Sequence, residues 1–105
     1  MQTATAFDVV ADPARRALLD LLLAGPRPVG ELARETGLSQ PNTSRHLRVL
    51  RGAGLVERSA DGQRRLYALR GEGFAEVARW LTPYVILWRQ GLDALEAHLL
   101  QTGDA

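Results

Sequence analysis

The amino-acid sequence predicts a mainly α-helical domain that carries one β-hairpin. In most of the chain, apolar residues recur every three or four positions, as they do on one face of a helix. Over residues 55–70 the period falls to two, and Asp61 and Gly62 form a tight-turn signal within that stretch. A length of 105 residues favours one domain, which we place at 1–105.

The first part of the chain predicts two helices. Residues 5–11 form a short amphipathic segment that presents Phe7 and Val10. Asp12 and Pro13 are typical of an N-cap followed by proline in the first helical turn. The helix over 14–23 has one apolar face, which holds Ala14, Leu18, Leu21 and Leu22.

Two further short helices follow in the middle of the chain. Residues 28–29 allow only a brief extended piece. The next residues, 30–36, predict a helix with Gly37 in a left-handed C-terminal cap. Ser39 can cap the second helix, which we expect over about 39–52. Two short helices joined in this way predict a helix-turn-helix unit.

The end of the chain predicts a hairpin and then a long helix. We expect two strands within about 55–70, and a helix over about 72–101. Pro83 interrupts the helical pattern, so this helix is either kinked there or restarted with Thr82 as its cap.

Basic residues are concentrated in the middle of the chain. Residues 40–70 hold seven arginines and two acidic residues, whereas the remainder holds six arginines and ten acidic residues, for a net charge of +1. No acidic residue lies between Glu35 and Glu57. This distribution predicts one surface for a polyanion.

The helix expected at about 39–52 divides into an inner and an outer face. The inner face holds Thr43, Leu47, Leu50 and Gly54. The outer face holds Pro41, Asn42, Ser44, Arg45, Arg48 and Val49, with Gln40 and Arg51 at intermediate angles. Arginine can make a bidentate contact to guanine, and asparagine or glutamine to adenine. A solvated charged helix explains the arginines alone, but not the turn before them, the missing acidic residues and the hairpin after them.

Three stretches carry a resemblance to a known family: DPARRALLDLLLAG, VGELARETGLSQPNTSRHLRVLRGAGLV and ERSADGQRRLYALR. Together they resemble the ArsR (arsenic-repressor) family of bacterial winged helix-turn-helix regulators over residues 5 to about 80. The resemblance implies a homodimeric repressor that binds double-stranded DNA and is released by a ligand. The two-fold axis of such a dimer favours an inverted-repeat operator. It also implies that the hairpin is the wing.

The helix faces and the resemblance together define the candidate DNA-binding residues. They are Ser39, Gln40, Pro41, Asn42, Ser44, Arg45, His46, Arg48, Arg51, Arg64 and Arg65. His46 lies at the edge of the buried face, so a structural, hydrogen-bonded role is the alternative for it. The resemblance assigns Arg64 and Arg65, near the tip of the hairpin, to phosphate or the minor groove. Thr43 departs from the family pattern of small or apolar residues, so we expect some packing cost there.

A second set of residues predicts a dimer interface. Six apolar residues of the last helix fall three or four positions apart, and two from the first helix join them: Phe7, Val10, Leu81, Tyr84, Trp88, Leu92, Leu95 and Leu99. Exposed in a monomer, such a stripe exceeds what soluble monomers usually tolerate. The aromatic residues Phe74, Trp80, Tyr84 and Trp88 can alternatively line a ligand pocket.

The sequence predicts neither a metal site nor a cofactor. There are no cysteines, and Pro28, Val29 and Gly30 stand where many metal-sensing members of the family have a Cys-x-Cys pair. Asp93 and His98 are five residues apart and therefore poorly placed on one helical face. The resemblance is compatible with an effector, either a small molecule or a protein.

Other classes of protein fit the sequence less well. No nucleophile with a base, paired carboxylates or glycine-rich phosphate loop is present, so we expect no enzyme. The apolar stretches are too short to span a bilayer, and MQTATAFDVV lacks the features of a secretory signal, which favours the cytoplasm. The alternative function is a winged-helix protein–protein interaction module, whose exposed face would be mixed or apolar.

Overall fold

The computed structural model describes residues 5–102, which form helices and one small sheet. The elements are α1 (Ala6–Val10), α2 (Pro13–Leu22), β1 (Arg27–Pro28), α3 (Val29–Thr36), α4 (Gln40–Gly52), β2 (Val56–Asp61), β3 (Arg64–Leu69), a 3-10 turn (Gly71–Phe74) and α5 (Ala75–Thr102). The chain forms two compact units, of which the first ends at Ala75 and the second begins at Glu76. The mainly α-helical class with a β-hairpin is confirmed.

Polar side chains begin the first two helices. The Thr5 hydroxyl accepts from the Asp8 N–H at 3.3 Å, while Asp8 accepts from the Thr5 N–H at 3.1 Å. The bonds that the Thr5 N–H and then the Thr5 hydroxyl donate to the Asp8 carboxylate lower the pKa of that carboxyl. Asp12 accepts from the Ala14 N–H at 2.8 Å, and Pro13 occupies the first turn. The predicted cap of α2 is therefore confirmed.

The turn between α3 and α4 also follows the prediction. Gly37 adopts a left-handed φ of 77° and donates its N–H to the Ala33 carbonyl at 3.0 Å. Ser39 caps α4 by accepting from the Asn42 N–H at 3.2 Å. Thr43 is fully buried, and its hydroxyl donates to the Ser39 carbonyl at 2.9 Å. This bond offsets the cost expected from placing a hydroxyl among apolar neighbours.

The sheet has three strands rather than the two predicted. Its order is β1-β3-β2, with all neighbours antiparallel. Asp61 pairs with Arg64, so the two-residue turn consists of Gly62 and Gln63, one position later than the predicted pair. Gly62 has a φ of 64°, which a glycine at the first turn position adopts without strain.

The first unit has one apolar core, to which the helices and the sheet contribute. Its fully buried large side chains are Val9, Leu18, Leu32, Leu47, Leu50 and Leu55. On α2 the structure buries Leu19 and leaves Leu21 only half-buried, which reverses the predicted assignment. The reason is that α2 contacts α1, α3, α4 and β3, so its buried face is wider than one stripe.

Helix α5 runs without interruption through Pro83. Of the two alternatives that the sequence left open, a kink at Pro83 or a restart capped by Thr82, the restart is therefore wrong. Instead of capping a new helix, the Thr82 hydroxyl donates to the Ala78 carbonyl of the preceding turn at 2.6 Å. Pro83 is exposed, so water can reach the carbonyl that its missing N–H leaves without a helical partner. No helix within residues 5–102 is long and apolar enough to cross a membrane.

Candidate DNA-binding surface

Helix α4 presents a polar face opposite the three side chains that it buries. Thr43, Leu47 and Leu50 are buried, as predicted. The exposed residues of the candidate set on this helix and its cap are Ser39, Gln40, Pro41, Asn42, Arg45, Arg48 and Arg51, and Ser44 is half-buried. The chemistry that can reach a base edge therefore lies together on one face of a single helix.

The arginines of this face carry free positive charge. Arg45, Arg48 and Arg51 form no ion pair with any residue of the described range 5–102. The arginines that do have acidic partners are not on this face. Arg27, for example, is 3.0 Å from a carboxylate oxygen of Glu35. Because the guanidinium groups of α4 are not neutralised, they can bind an external anion directly.

His46 is half-buried at the edge of the same helix. Its ring makes no hydrogen bond to another residue of the range that the structure describes, although the structural alternative expected one. A structural role for His46 would therefore depend on packing alone.

The hairpin formed by β2 and β3, which we call the wing, carries the second pair of candidate residues. Arg64 pairs with Asp61, and Arg65 pairs with Ala60 across the two strands. Successive side chains of a strand point to opposite faces, so Arg64 and Arg65 lie on opposite faces of β3. Both are exposed.

Two further arginines, which the sequence did not assign to DNA binding, lie close to α4. Arg58 on β2 and Arg70 after β3 line the same surface cleft as Arg48 and Arg51. From the sequence alone Arg58 is predicted near the hairpin tip, because periodicity within a strand does not show which end of the strand packs beside a helix. The register of β2 with β3, which pairs Arg58 with Tyr67, places it at the middle of the strand.

In the second unit, α5 is apolar over much of its exposed surface. All six residues that the sequence assigned to the seam are exposed, from Leu81 at 41% to Trp88 at 64%. Trp80, Ile86, Leu87 and Leu100 are exposed as well. The rings of Trp80 and Tyr84 lie 5.0 Å apart, centre to centre. In the first unit, Phe7 and Val10 are half-buried.

The donor groups for a metal ion are dispersed. Among residues 5–102 no three His, Asp or Glu side chains come together at a distance suited to one ion. Asp93 and His98, the two candidates on α5, are both exposed.

Comparison with known proteins identifies the family of this chain. A model described as "Bacterial regulatory protein, arsR family" matches residues 12–58. The HTH-type transcriptional regulator Rv2034 of Mycobacterium tuberculosis is 37% identical over 99 residues, which cover 94% of this chain and 90% of that protein. This chain belongs to the arsR family. It is a DNA-binding transcriptional regulator with a winged helix-turn-helix fold.

Two other proteins similar to this arsR-family chain bear on its biology. The transcriptional repressor SdpR of Bacillus subtilis is 30% identical over 79 residues, 75% of this chain and 88% of that protein. The homodimeric winged helix-turn-helix DNA-binding domain Mb0332 of Mycobacterium bovis superposes with a TM-score of 0.61 at 32% identity, over 80% of this chain and 75% of that domain.

The alternative function, a module that binds another protein through α4, fits this arsR-family chain less well. Such a module was expected to expose a mixed or apolar face. The exposed face of α4 instead carries Arg45, Arg48 and Arg51 with no acidic residue on the helix. The family and the charge of the face therefore agree.

Proposed function

We propose that this arsR-family chain is a homodimeric repressor that reads an inverted-repeat operator with α4. In this proposal Gln40, Asn42 and Arg45 contact base edges in the major groove, and Arg48 contacts a base edge or a phosphate. Five further residues lie against the DNA backbone beside these bases: the cap residue Ser39 and its neighbours Pro41, Ser44, His46 and Arg51. The wing adds Arg64 or Arg65 at phosphate or in the minor groove.

One observation carries this proposal: α4 buries Thr43, Leu47 and Leu50 while its opposite face holds unpaired arginines. A helix anchored in this way on its own domain is rigid. It can therefore present donors to base edges without first ordering the backbone that carries them, and only the exposed side chains lose conformational freedom on binding. The N-terminal N–H groups of α4 add a further preference for phosphate.

The homodimer supplies the two-fold symmetry that an inverted repeat requires. Support comes from the exposed apolar side chains of α5 and from the relative Mb0332, which is described as a homodimer. In the proposed dimer Leu81, Tyr84, Trp88, Leu92, Leu95 and Leu99 of the two copies form an isologous seam. Phe7 and Val10 of α1 join it. Two copies of α4 would then meet successive major grooves, about 34 Å apart.

Regulation of transcription is the whole of the proposed activity, with no catalytic step. Repression, rather than activation, is supported by the similarity to SdpR, which is described as a repressor. A DNA reader works where the chromosome is, so we place the protein in the cytoplasm. An effector is compatible with this function and is not required by it.

Fluorescence anisotropy with labelled DNA from upstream of the protein's own gene tests the proposal. Arg45→Ala should weaken binding at least about tenfold, because one bidentate arginine–guanine pair contributes about 1–3 kcal/mol. Arg79→Ala removes an arginine from α5 that is also exposed, and it serves as the control. Thermal unfolding should be almost unchanged in both variants. Equal affinity of Arg45→Ala and the unmodified protein would remove Arg45 from the reading face.

A further inference from the structure

A cleft rich in arginine lies between the C-terminal half of α4 and the beginning of β2. Its volume is about 490 Å3, and it is open to solvent. The side chains around it are Arg48, Arg51, Val56, Glu57, Arg58 and Arg70, with Gly52 between them. We call it the arginine cleft. Four arginines from three separate parts of the chain therefore line one concave surface.

The charges of the arginine cleft are poorly compensated. Arg70 is 3.6 Å from a carboxylate oxygen of Glu72. Arg48, Arg51 and Arg58 have no ion-pair partner among residues 5–102, and Glu57 lies within 4.0 Å of none of their charged nitrogens. Like charges gathered at a concave surface repel one another and raise the local positive potential. An anion in the cleft relieves this repulsion.

The arginines of the cleft do not stabilise the fold by burial. Arg48, Arg51 and Arg58 are exposed, and the side chain of Arg70 is 53% exposed. A guanidinium group has a planar fork of N–H donors that matches the oxygens of phosphate. The cleft also joins the outer face of α4, because Arg48 and Arg51 belong to both. Its ligand and DNA therefore compete for the same side chains unless that ligand is part of the DNA.

We propose that the arginine cleft is a phosphate-binding site, in which Arg58 and Arg70 complete a clamp begun by Arg48 and Arg51. The phosphate comes from one of two sources. It belongs to the backbone of bound DNA, in which case the inference rests on the proposed function. Otherwise it belongs to a free phosphorylated small molecule, which then displaces DNA from Arg48 and Arg51.

Glu57 tunes the affinity of this site. Its carboxylate is the one negative group among the lining residues of the cleft, and it repels phosphate oxygens. Glu57→Gln keeps the size of the side chain and removes the charge. This variant is therefore expected to bind phosphate more tightly than the unmodified protein.

The first experiment measures a free phosphate ligand without DNA. Calorimetry with inorganic pyrophosphate is carried out at constant ionic strength on the full chain. Arg58→Gln and Arg70→Gln should each weaken binding about tenfold, the loss expected for one charge-assisted contact. Arg79→Gln removes the same charge from α5, outside the cleft, and should leave binding unchanged. Circular dichroism melting of each variant checks that the fold is intact.

The second experiment measures DNA. With DNA from upstream of the gene, Arg58→Gln and Arg70→Gln should each reduce the dependence of log affinity on log salt by about one. Arg79→Gln should leave this slope unchanged. Pyrophosphate should release the DNA from the unmodified protein only if the cleft also takes a free phosphate.

The two experiments distinguish the sources and can overturn the inference. A reduced salt slope without pyrophosphate binding assigns the phosphate to DNA, and cleft-dependent pyrophosphate binding assigns it to a free ligand. If the unmodified protein binds no DNA, the proposed function fails and calorimetry alone decides the cleft. If Arg58→Gln and Arg70→Gln behave as Arg79→Gln does in both experiments, or if neither ligand is bound, the arginine cleft is not a phosphate site.

Discussion

Replacement of Trp88 by glutamate should break the proposed dimer and DNA binding together. Trp88 lies in the middle of the α5 stripe, and 64% of it is exposed in the single chain. In the proposed dimer this surface packs against the partner's α5, so a carboxylate there should lose apolar contact and place a charge in a dry seam. Each separated protomer keeps only half of the DNA contacts.

The exposed area of Trp88 sets the size of the effect. A tryptophan buries about 200 Å2 when fully covered, so the exposed 64% corresponds to about 130 Å2. If the partner covers half of this, about 65 Å2 per protomer and about 130 Å2 per dimer are removed from water. At about 25 cal/mol per Å2 the loss is about 3 kcal/mol. The dissociation constant of the dimer should therefore rise by about two orders of magnitude or more.

Sedimentation velocity at several micromolar concentrations measures the dimer, and anisotropy with upstream DNA measures binding in the same samples. Gln90→Glu is the matched control, because it adds a negative charge at an exposed position of α5 that is outside the apolar stripe. It should leave both the sedimentation coefficient and the DNA affinity close to those of the unmodified protein.

Two results would refute this reasoning. The first is an unmodified protein that stays monomeric at micromolar concentration. The second is a Trp88→Glu variant that is as dimeric as Gln90→Glu, since the seam would then lie elsewhere. A variant that loses DNA binding while remaining dimeric would separate the two functions and contradict their coupling.

Three further predictions address the wing, metals and stability. Of Arg64→Gln and Arg65→Gln, one should lower the salt slope of DNA binding by about one and the other should not, because the two side chains lie on opposite faces of β3. Zinc, cadmium or arsenite at micromolar levels should leave DNA affinity unchanged, since the chain has no cysteine; calorimetry showing stoichiometric, DNA-releasing metal binding would contradict this. Gly73→Ala should lower the free energy of unfolding by about 2 kcal/mol, because the added Cβ overlaps the Gly54 carbonyl. Gly71→Ala, where a Cβ meets open space, is the control in thermal unfolding.

The ends of the helices could be predicted because their causes are local. Asp12 and Ser39 each cap a helix by bonding to an N–H no more than three residues away. Gly37 ends α3 through its own backbone conformation. The inner face of α4 could be predicted equally well, since Thr43, Leu47 and Leu50 repeat at helical spacing. None of these features depends on a distant segment, so the order of residues contains the necessary information.

Other features depended on segments that are far apart in the chain. The two residues of β1 have too little pattern to predict a strand, and they become one because Arg27 and Pro28 pair with β3. The burial of Leu19 in place of Leu21 depended on the number of elements packed around α2. The turn at Gly62 and Gln63 moved by one residue because the strand register sets which residues face each other.

The candidate site shows the same division. The sequence by itself determined the basic, acid-free character of α4 and which of its side chains face outward, because one helix has one periodicity. Only the tertiary structure brought Arg58 and Arg70 beside Arg48 and Arg51, since these residues lie on different elements of the chain. Periodicity within a segment orients side chains about that segment's own axis. Contact between segments depends on packing and strand register, which decide where separate axes meet.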